Sequence, residues 1–308
     1  MITVLAGGVG AARFLRGLVA VHPARECAAV VNVGDDLVLH GLHISPDIDT
    51  VVYTVAGAID PERGWGLRDE TWRVMDSLNR YGGETWFNLG DQDLATHLHR
   101  TQRRCEGASL TEVTAEIAAA WGLELQLLPV TDDELRTRVE VPGLGELGFQ
   151  EYFVGRQHSV PVDAVRFDGI EDARLTPEAS GAISDAELVV IAPSNPIVSI
   201  GPVLAVDGVR AGLAARRETV VAVSPIIGGK ALKGPAADML ATLGHEVSAV
   251  GVARLYADVA GTLVIDEADA DLAPAVEAVG LRAVVTDTIM SDPGRAAALA
   301  RTTLGAAR

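Results

Sequence analysis

The sequence is poor in the residues that would make it a disulfide scaffold, a zinc protein, a membrane protein or a nucleic-acid binder. Only two cysteines, Cys27 and Cys105, occur in 308 residues. They lie far apart in no ligand spacing, so neither a disulfide framework nor a zinc site is expected. No apolar run approaches the roughly 18 residues of a membrane span. The first one, Ile2 to Ala6, stops at Gly7-Gly8 with no basic flank or cleavage site, and the chain reads as cytoplasmic. Basic side chains are scarce: 25 Lys and Arg against 42 Asp and Glu leave a net charge of -17, which repels nucleic acid and anionic lipid. A phosphorylated ligand therefore needs a local site of backbone amides, a few basic side chains or a bound cation. No internal repeat or low-complexity linker divides residues 1–308, so a single α/β domain is expected.

What is present is a rhythm. Thr3 to Ala6, Ala28 to Asn32, Leu125 to Pro129, Ala164 to Phe167, Leu188 to Ala192, Thr219 to Val223 and Thr262 to Ile265 read as strands. Most lack two-residue alternation, which indicates burial on both faces of a parallel sheet. Helices fit between them. Ser109 and Glu112 form a capping-box pattern for a helix to about Trp121, and Thr176-Pro177 marks another start. The expected fold is a doubly wound, Rossmann-like, mainly parallel sheet with ligands at the strand carboxyl ends. From about 133 to 169, short runs broken by Gly and Pro indicate a β-rich excursion.

Five loop regions carry polar or glycine residues, three of them glycine- or serine-bearing and expected at that edge. The first is Gly7-Gly8-Val9-Gly10, between a buried strand and a helix. Glycines there admit a phosphate to the helix start, although a ligand-free tight turn has the same composition. The dinucleotide version needs a glycine at residue 13 and an acid ending the second strand. Arg13 and Asn32 stand there instead, and no Gly-Lys-Ser/Thr follows for a Walker loop. Arg13 is a candidate diphosphate contact or simply a surface arginine.

The second loop holds Asp35 and Asp36, and Ser45 to Thr50 adds Asp47 and Asp49. The first pair also suits a solvated acidic face. The second, next to Pro46, is expected in a restrained turn that brings both carboxylates to one spot, where they suit Mg2+ or a general base. Asn88, Asp91 and Asp93 repeat the idea, with Asp93 equally suited to capping the helix that carries His97. His97 and His99, two apart, cannot share a helix face as metal ligands would. The remaining loops contain Ser194, Asn195 and Ser199, and then Gly228, Gly229, Lys230 and Lys233.

Through the segments AGGVGAARFLRGL, NVGDDLVLHGLHISPDIDTVVY, WGLRDET, FNLGDQDLATH, PSNPIVSIGP and SPIIGGKALKGPA, in that order, the chain resembles the 2-phospho-L-lactate transferase family of coenzyme F-420 biosynthesis. The resemblance implies a homodimeric transferase acting on a guanosine diphosphate-linked donor that carries lactate or enolpyruvate. It implies a deazaflavin acceptor, 7,8-didemethyl-8-hydroxy-5-deazariboflavin, whose ribityl hydroxyl attacks the acid-bearing phosphorus and releases GMP. By the same analogy the acceptor lies near Asp49, Asn88 and Asp91. Mg2+ is held by Asp47 and Asp49, which are also the catalytic candidates. The donor lies across Gly7, Gly8, Gly10, Arg13, Asp35, Ser194, Asn195, Gly228 and Gly229. Val9 and Arg13 replace the Thr and Lys of many members, a form resembling the actinobacterial phosphoenolpyruvate branch. On this view Asp49→Ala abolishes transfer and leaves the fold intact. Two rivals remain: a regulatory nucleotide-sugar-binding protein of the related fold, and an NAD(P)-dependent oxidoreductase, against which Arg13 and Asn32 speak.

Overall fold

Fourteen short strands and the helices between them appear in a computed structural model that describes residues 1–158, 160–232 and 234–307. The strands are β1 (Ile2–Ala6), β2 (Cys27–Val31), β3 (Leu37–Leu39), β4 (Leu42–Ile44), β5 (Gln126–Pro129), β6 (Arg136–Val141) and β7 (Gly145–Gly148). They continue as β8 (Ala164–Asp168), β9 (Leu188–Ile191), β10 (Val220–Val223), β11 (Ile226–Ile227), β12 (Lys230–Ala231), β13 (Thr262–Asp266) and β14 (Arg282–Thr286). Seven form one parallel sheet in the order β14-β13-β10-β9-β1-β2-β5, with Ile2 in register with Cys27 on one side and Leu188 on the other. Every residue of β1, β2, β9, β10 and β13 is buried. Helices cover both faces, which is why these strands carry continuous apolar runs.

Two expectations about strands are corrected. Ala164–Asp168 is not a buried strand of the main sheet; it closes the small antiparallel sheet β7-β6-β8, and its partly exposed residues match that position. Arg282–Thr286, absent from the expected set, is the edge strand next to β13. Its polar ends and part-exposed residues gave it no buried signature.

Helix α1 (Gly8–Val19) lies against the sheet through Phe14, Leu15 and Leu18, all fully buried. Such burial stabilises by about 1.5–3 kcal/mol per large side chain. It also packs on α2 (Pro46–Val55) and on the C-terminal helix Pro293–Gly305. A Cβ on Gly17 would come within 2.4 Å of the Ala296 backbone, so the close approach of those two helices requires glycine. Three further helices matter to the site: α3 (Arg73–Arg80), α4 (Asp93–Cys105) and α5 (Leu110–Ala120). Ser109 and Glu112 form the reciprocal cap of α5, with Glu112 N donating to Ser109 Oγ at 3.0 Å and Ser109 N to Glu112 Oε2 at 2.7 Å.

Besides the main core, two smaller apolar clusters frame the strand carboxyl ends. Val139, Val141, Phe149, Tyr152 and Val162 of the β-rich segment pack with Val198 and Met239. Leu39, Ile44, Met75 and Leu89 pack beneath the β3-β4 hairpin. From β1 the chain winds to β2 and β5 on one side, then returns to β9 on the other. The crevice at this reversal, between the loops after β1 and β9, is where an open α/β sheet accepts ligands.

Candidate active site

The turn after β1 closes directly on the loop after β9. A Cβ on Gly10 would lie 2.1 Å from Pro193 O, and one on Gly7 2.8 Å from Ser199 O, while Gly8 has φ +70°. The three glycines are therefore required by packing and backbone conformation. That contact seats the start of α1 against the 193–199 loop. The buried Ser194 hydroxyl lies near Gly10 and has no hydrogen-bond partner. Asn195, expected to contact ligand, also folds its own turn: its Oδ1 accepts from Ile197 N at 2.9 Å.

Asn32, in the place of a ribose-binding acid, holds Asp47. Its Nδ2 donates to Asp47 Oδ2 at 2.9 Å, and its Oδ1 accepts from Gly34 N at 2.8 Å. Asp47 and Asp49 do not sit in a turn. Pro46 occupies the first turn of α2, where its fixed φ favours helix. Two residues along a helix separate side chains by roughly 200°, so the pair diverges. Asp47 faces the glycine turn and also accepts from the Gly8 amide; burial pushes its carboxyl up to about 6, with Asn32 and Gly8 opposing. Asp35, 5% exposed, is raised well above the ordinary range by burial and by the charge of Asp47. Side-chain hydrogen bonds from Asn32 and Thr137 oppose that rise, and among the described residues its Oδ1 keeps no close partner. Asp36 accepts from Ser45 Oγ at 2.7 Å, and burial pushes it up to about 7.

Asp49 points the other way, into a closed network on α4. Both its oxygens are taken by the guanidinium of Arg100, which is fully buried. His97 Nδ1 lies 3.7 Å from Asp49 Oδ2, and its Nε2 lies 3.3 Å from Asp93 Oδ2. Tyr53 Oη donates to Asp93 Oδ1 at 2.5 Å and shares a hydrogen bond with Thr96. Burial opposes the charge on Asp93, yet His97 and Tyr53 hold its carboxyl below the usual value. Asp93 does not cap α4. Glu70 does, accepting from Gln92 N at 2.8 Å and Asp93 N at 3.0 Å. Asp91 returns the arrangement by accepting from Arg73 N and Val74 N at the start of α3 and from Thr71 Oγ1. The WGLRDET and LGDQD segments thus brace each other through crossed caps.

The other expected residues are dispersed. Asn88 is exposed beside Leu89. Arg13 is half-buried and, among the described residues, makes no ion pair or hydrogen bond. Gly228 and Gly229 form the tip of the β11-β12 hairpin, with φ +56° and +72°, and Gly228 N donates to Asp269 at 3.0 Å. Lys230 is exposed, and Lys233 lies outside the described residues.

A cleft of about 280 Å3 opens between the Asp35-Asp36 loop and β6, where Arg136, Thr137 and Arg138 line it together with Trp86 and Phe149. Two carboxylate groups are candidates for a divalent cation. Ligand atoms of Asp49, Asp93 and His97 lie within 4.8 Å of one another, but Arg100 already supplies a cation to Asp49. Asp35 and Asp47 are buried, adjacent in charge, and have one orphan oxygen. No basic side chain bonds to either among the described residues. This donor set suits a hard cation such as Mg2+.

Sequence reasoning missed Asn32 as the holder of Asp47, and also Glu70, Arg100 and the β6 residues. Asp93, His97 and Arg100 follow an i, i+4, i+7 spacing, a polar stripe on one helix face that signals a buried network. Comparing His97 with His99 overlooked it.

Over residues 2–300 the chain matches the family of 2-phospho-L-lactate transferase CofD. It is 43% identical to a phosphoenolpyruvate transferase of Kitasatospora aureofaciens, covering 99% of this chain and 97% of that one. To proteins of the same name it is 44% identical in Streptomyces griseus, covering 98% and 97%, and 42% identical in Mycobacterium tuberculosis, covering 97% and 96%. A crystal structure of a upf0052 family protein from Bacillus halodurans shares the fold, with a TM-score of 0.63 at 16% identity over 98% of each chain.

Proposed function

The chain belongs to the 2-phospho-L-lactate transferase family, and from that premise we propose that it transfers a phosphoenolpyruvyl group to the ribityl hydroxyl of a deazaflavin in coenzyme F-420 biosynthesis. The donor is guanosine diphosphate-linked, and GMP leaves. The names of relatives at 42–44% identity support enolpyruvate over lactate as the acid. The observation that carries the reading is the convergence, at the sheet's reversal point, of the α1 start, the buried pair Asp35 and Asp47, and the unpartnered Ser194.

In this mechanism the free amides of the α1 start and the Arg13 guanidinium receive the diphosphate. Asp35 and Asp47 are the residues that would hold Mg2+, and the ion would supply neutralisation of phosphate charge and Lewis acidity. Asn32 keeps Asp47 aimed at the glycine turn. The hydroxyl oxygen bonds to the acid-bearing phosphorus and the bond to the bridging oxygen breaks. GMP departs with the electron pair, and the hydroxyl proton passes to a cleft carboxylate, for which Asp36 is placed. Positioning and charge stabilisation supply most of the rate. Asp49 acts at one remove, by fixing α2 through Arg100.

The test is incubation with the deazaflavin, Mg2+ and each candidate guanylyl donor, followed by product mass. The expected result is a gain equal to the phosphoenolpyruvyl group and release of GMP; no gain with any donor would refute the reading.

A further inference from the structure

The cleft beside Asp35 is divided in charge. One side carries Asp35 and Asp36; from β6 come Arg136 and Arg138, with Thr137 between them. In a chain of net charge -17, two guanidiniums facing one cleft make a local exception to the field. Their own ion pairs are long and lie at the exposed edge, Arg136 to Glu134 at 3.4 Å and Arg138 to Asp168 at 3.6 Å. Asp35 is hydrogen-bonded by the Thr137 side chain, whereas Asp36 Oδ1, buried in the same cleft, has no hydrogen-bond partner among the described residues. Thr137 is only 2% exposed. Its backbone is pinned by its amide donating to Gly34 O at 2.6 Å. A buried polar atom left unpaired is costly, so this oxygen, facing two guanidiniums held only by long ion pairs, points to a polar ligand in the cleft.

The two sides ask for opposite chemistry. A lone anion would be repelled by Asp35, Asp36 and Glu151, which also lines the cleft; a lone cation would be repelled by the arginines. A molecule with a metal-associated phosphate at one end and a carboxylate a few bonds away satisfies both. Resting on the transferase reading above, we propose that Arg136 and Arg138, which share one face of β6, form a subsite for the carboxylate of the donor's three-carbon acid. The guanidiniums bind the carboxylate, while Thr137 on the opposite face holds Asp35. The β-rich segment, which the doubly wound sheet does not need for closure, thereby supplies the contact that separates an acid-bearing donor from the plain nucleotide. Lactate and enolpyruvate both carry the carboxylate, so the subsite selects an acid rather than one of the two.

The test compares calorimetric binding of GDP and of the guanylyl-linked acid, each with Mg2+, to the wild type and to Arg136→Gln/Arg138→Gln. The donor's Kd should rise roughly tenfold or more, as expected for lost charge-assisted hydrogen bonds, while that of GDP stays within about twofold. Arg138→Lys, which keeps the charge but loses the fork, should fall between; it also serves if the double variant fails to fold. Equal weakening of GDP and donor would assign the arginines to phosphate and overturn the proposal. So would unchanged donor binding, or loss of deazaflavin binding alone. A wild type that binds neither GDP nor donor would instead remove the transferase reading on which the subsite rests.

Discussion

Asp47 and Asp49 stand two residues apart on one helical turn, are equally buried, and live in opposite surroundings. Asp49 is neutralised in advance: Arg100 takes both oxygens, and His97, Asp93 and Tyr53 extend a network closed to solvent. Asp47 meets only the amides of Asn32 and Gly8 and the like charge of Asp35. A buried carboxylate without a counter-cation is costly, and proteins keep such groups where a ligand or ion completes them. The difference teaches that an acidic motif cannot be read by residue type alone. The α2 turn serves as a structural anchor on one side and, on the other, carries the carboxylate to which the proposed mechanism assigns the cation.

The sharpest way to break the comparison is to remove each aspartate's function separately. Asp47→Ala should lower transfer by roughly 10^2 to 10^3-fold, the range seen when a group stabilising transition-state charge is lost. Its melting temperature should hold or rise, since a repulsive buried charge is gone; a product-mass assay beside a thermal melt reads both. On the closed side, Arg100→Ala should cost about 3–5 kcal/mol of stability by stranding Asp49, measured by urea unfolding. The double change Asp49→Asn/Arg100→Met should recover part of that loss. For the same reason Asp49→Ala should strand Arg100 and lower stability, whereas the sequence alone led to the expectation of an intact fold.

Metal addition separates the regions next. Mg2+ at about 100 times its Kd should stabilise the wild type by about 2.7 kcal/mol, and a chelator should reverse this. Asp35→Asn should lose most of the gain, whereas Asp93→Asn should keep it; the opposite pattern would move the cation to the Asp49, Asp93 and His97 group. Acid then probes the closed network. Asp93 is held below its ordinary value, so its contribution is present above the unfolded-state pKa and disappears as pH falls through the folded one. Wild-type stability should fall below about pH 4 by more than that of Asp93→Asn, a difference read from acid titration of unfolding. The smallest effect concerns the brace: Asp91→Ala should cost about 1 kcal/mol through the α3 cap. Transfer should persist, because Asp91 binds backbone rather than ligand.

Most of the sheet was legible in advance because burial on both faces imprints continuous apolar runs, as in Leu188–Ile191 and Val220–Val223. β14 escaped because an edge strand keeps polar, exposed residues. The glycine turn was legible as the link from β1 to α1, but Gly7 and Gly10 are explained first by contact with Ser199 and Pro193. Those contacts join segments nearly 190 residues apart, and no local pattern announces them. The capping role of Asp91 was not legible because its partners, Arg73 and Val74, donate through backbone, which side-chain identity does not encode.

The sequence by itself determined the architecture and the family, because periodicity and motif order are properties of the chain read in one dimension. Only the tertiary structure decided which aspartates are open. Burial and pairing depend on what another segment brings alongside: Arg100 from α4 closed Asp49, and Asn32 with the glycine turn left Asp47 facing the crevice. Charge in a folded protein is set by its neighbours in space, and neighbours in space are what a sequence leaves unstated.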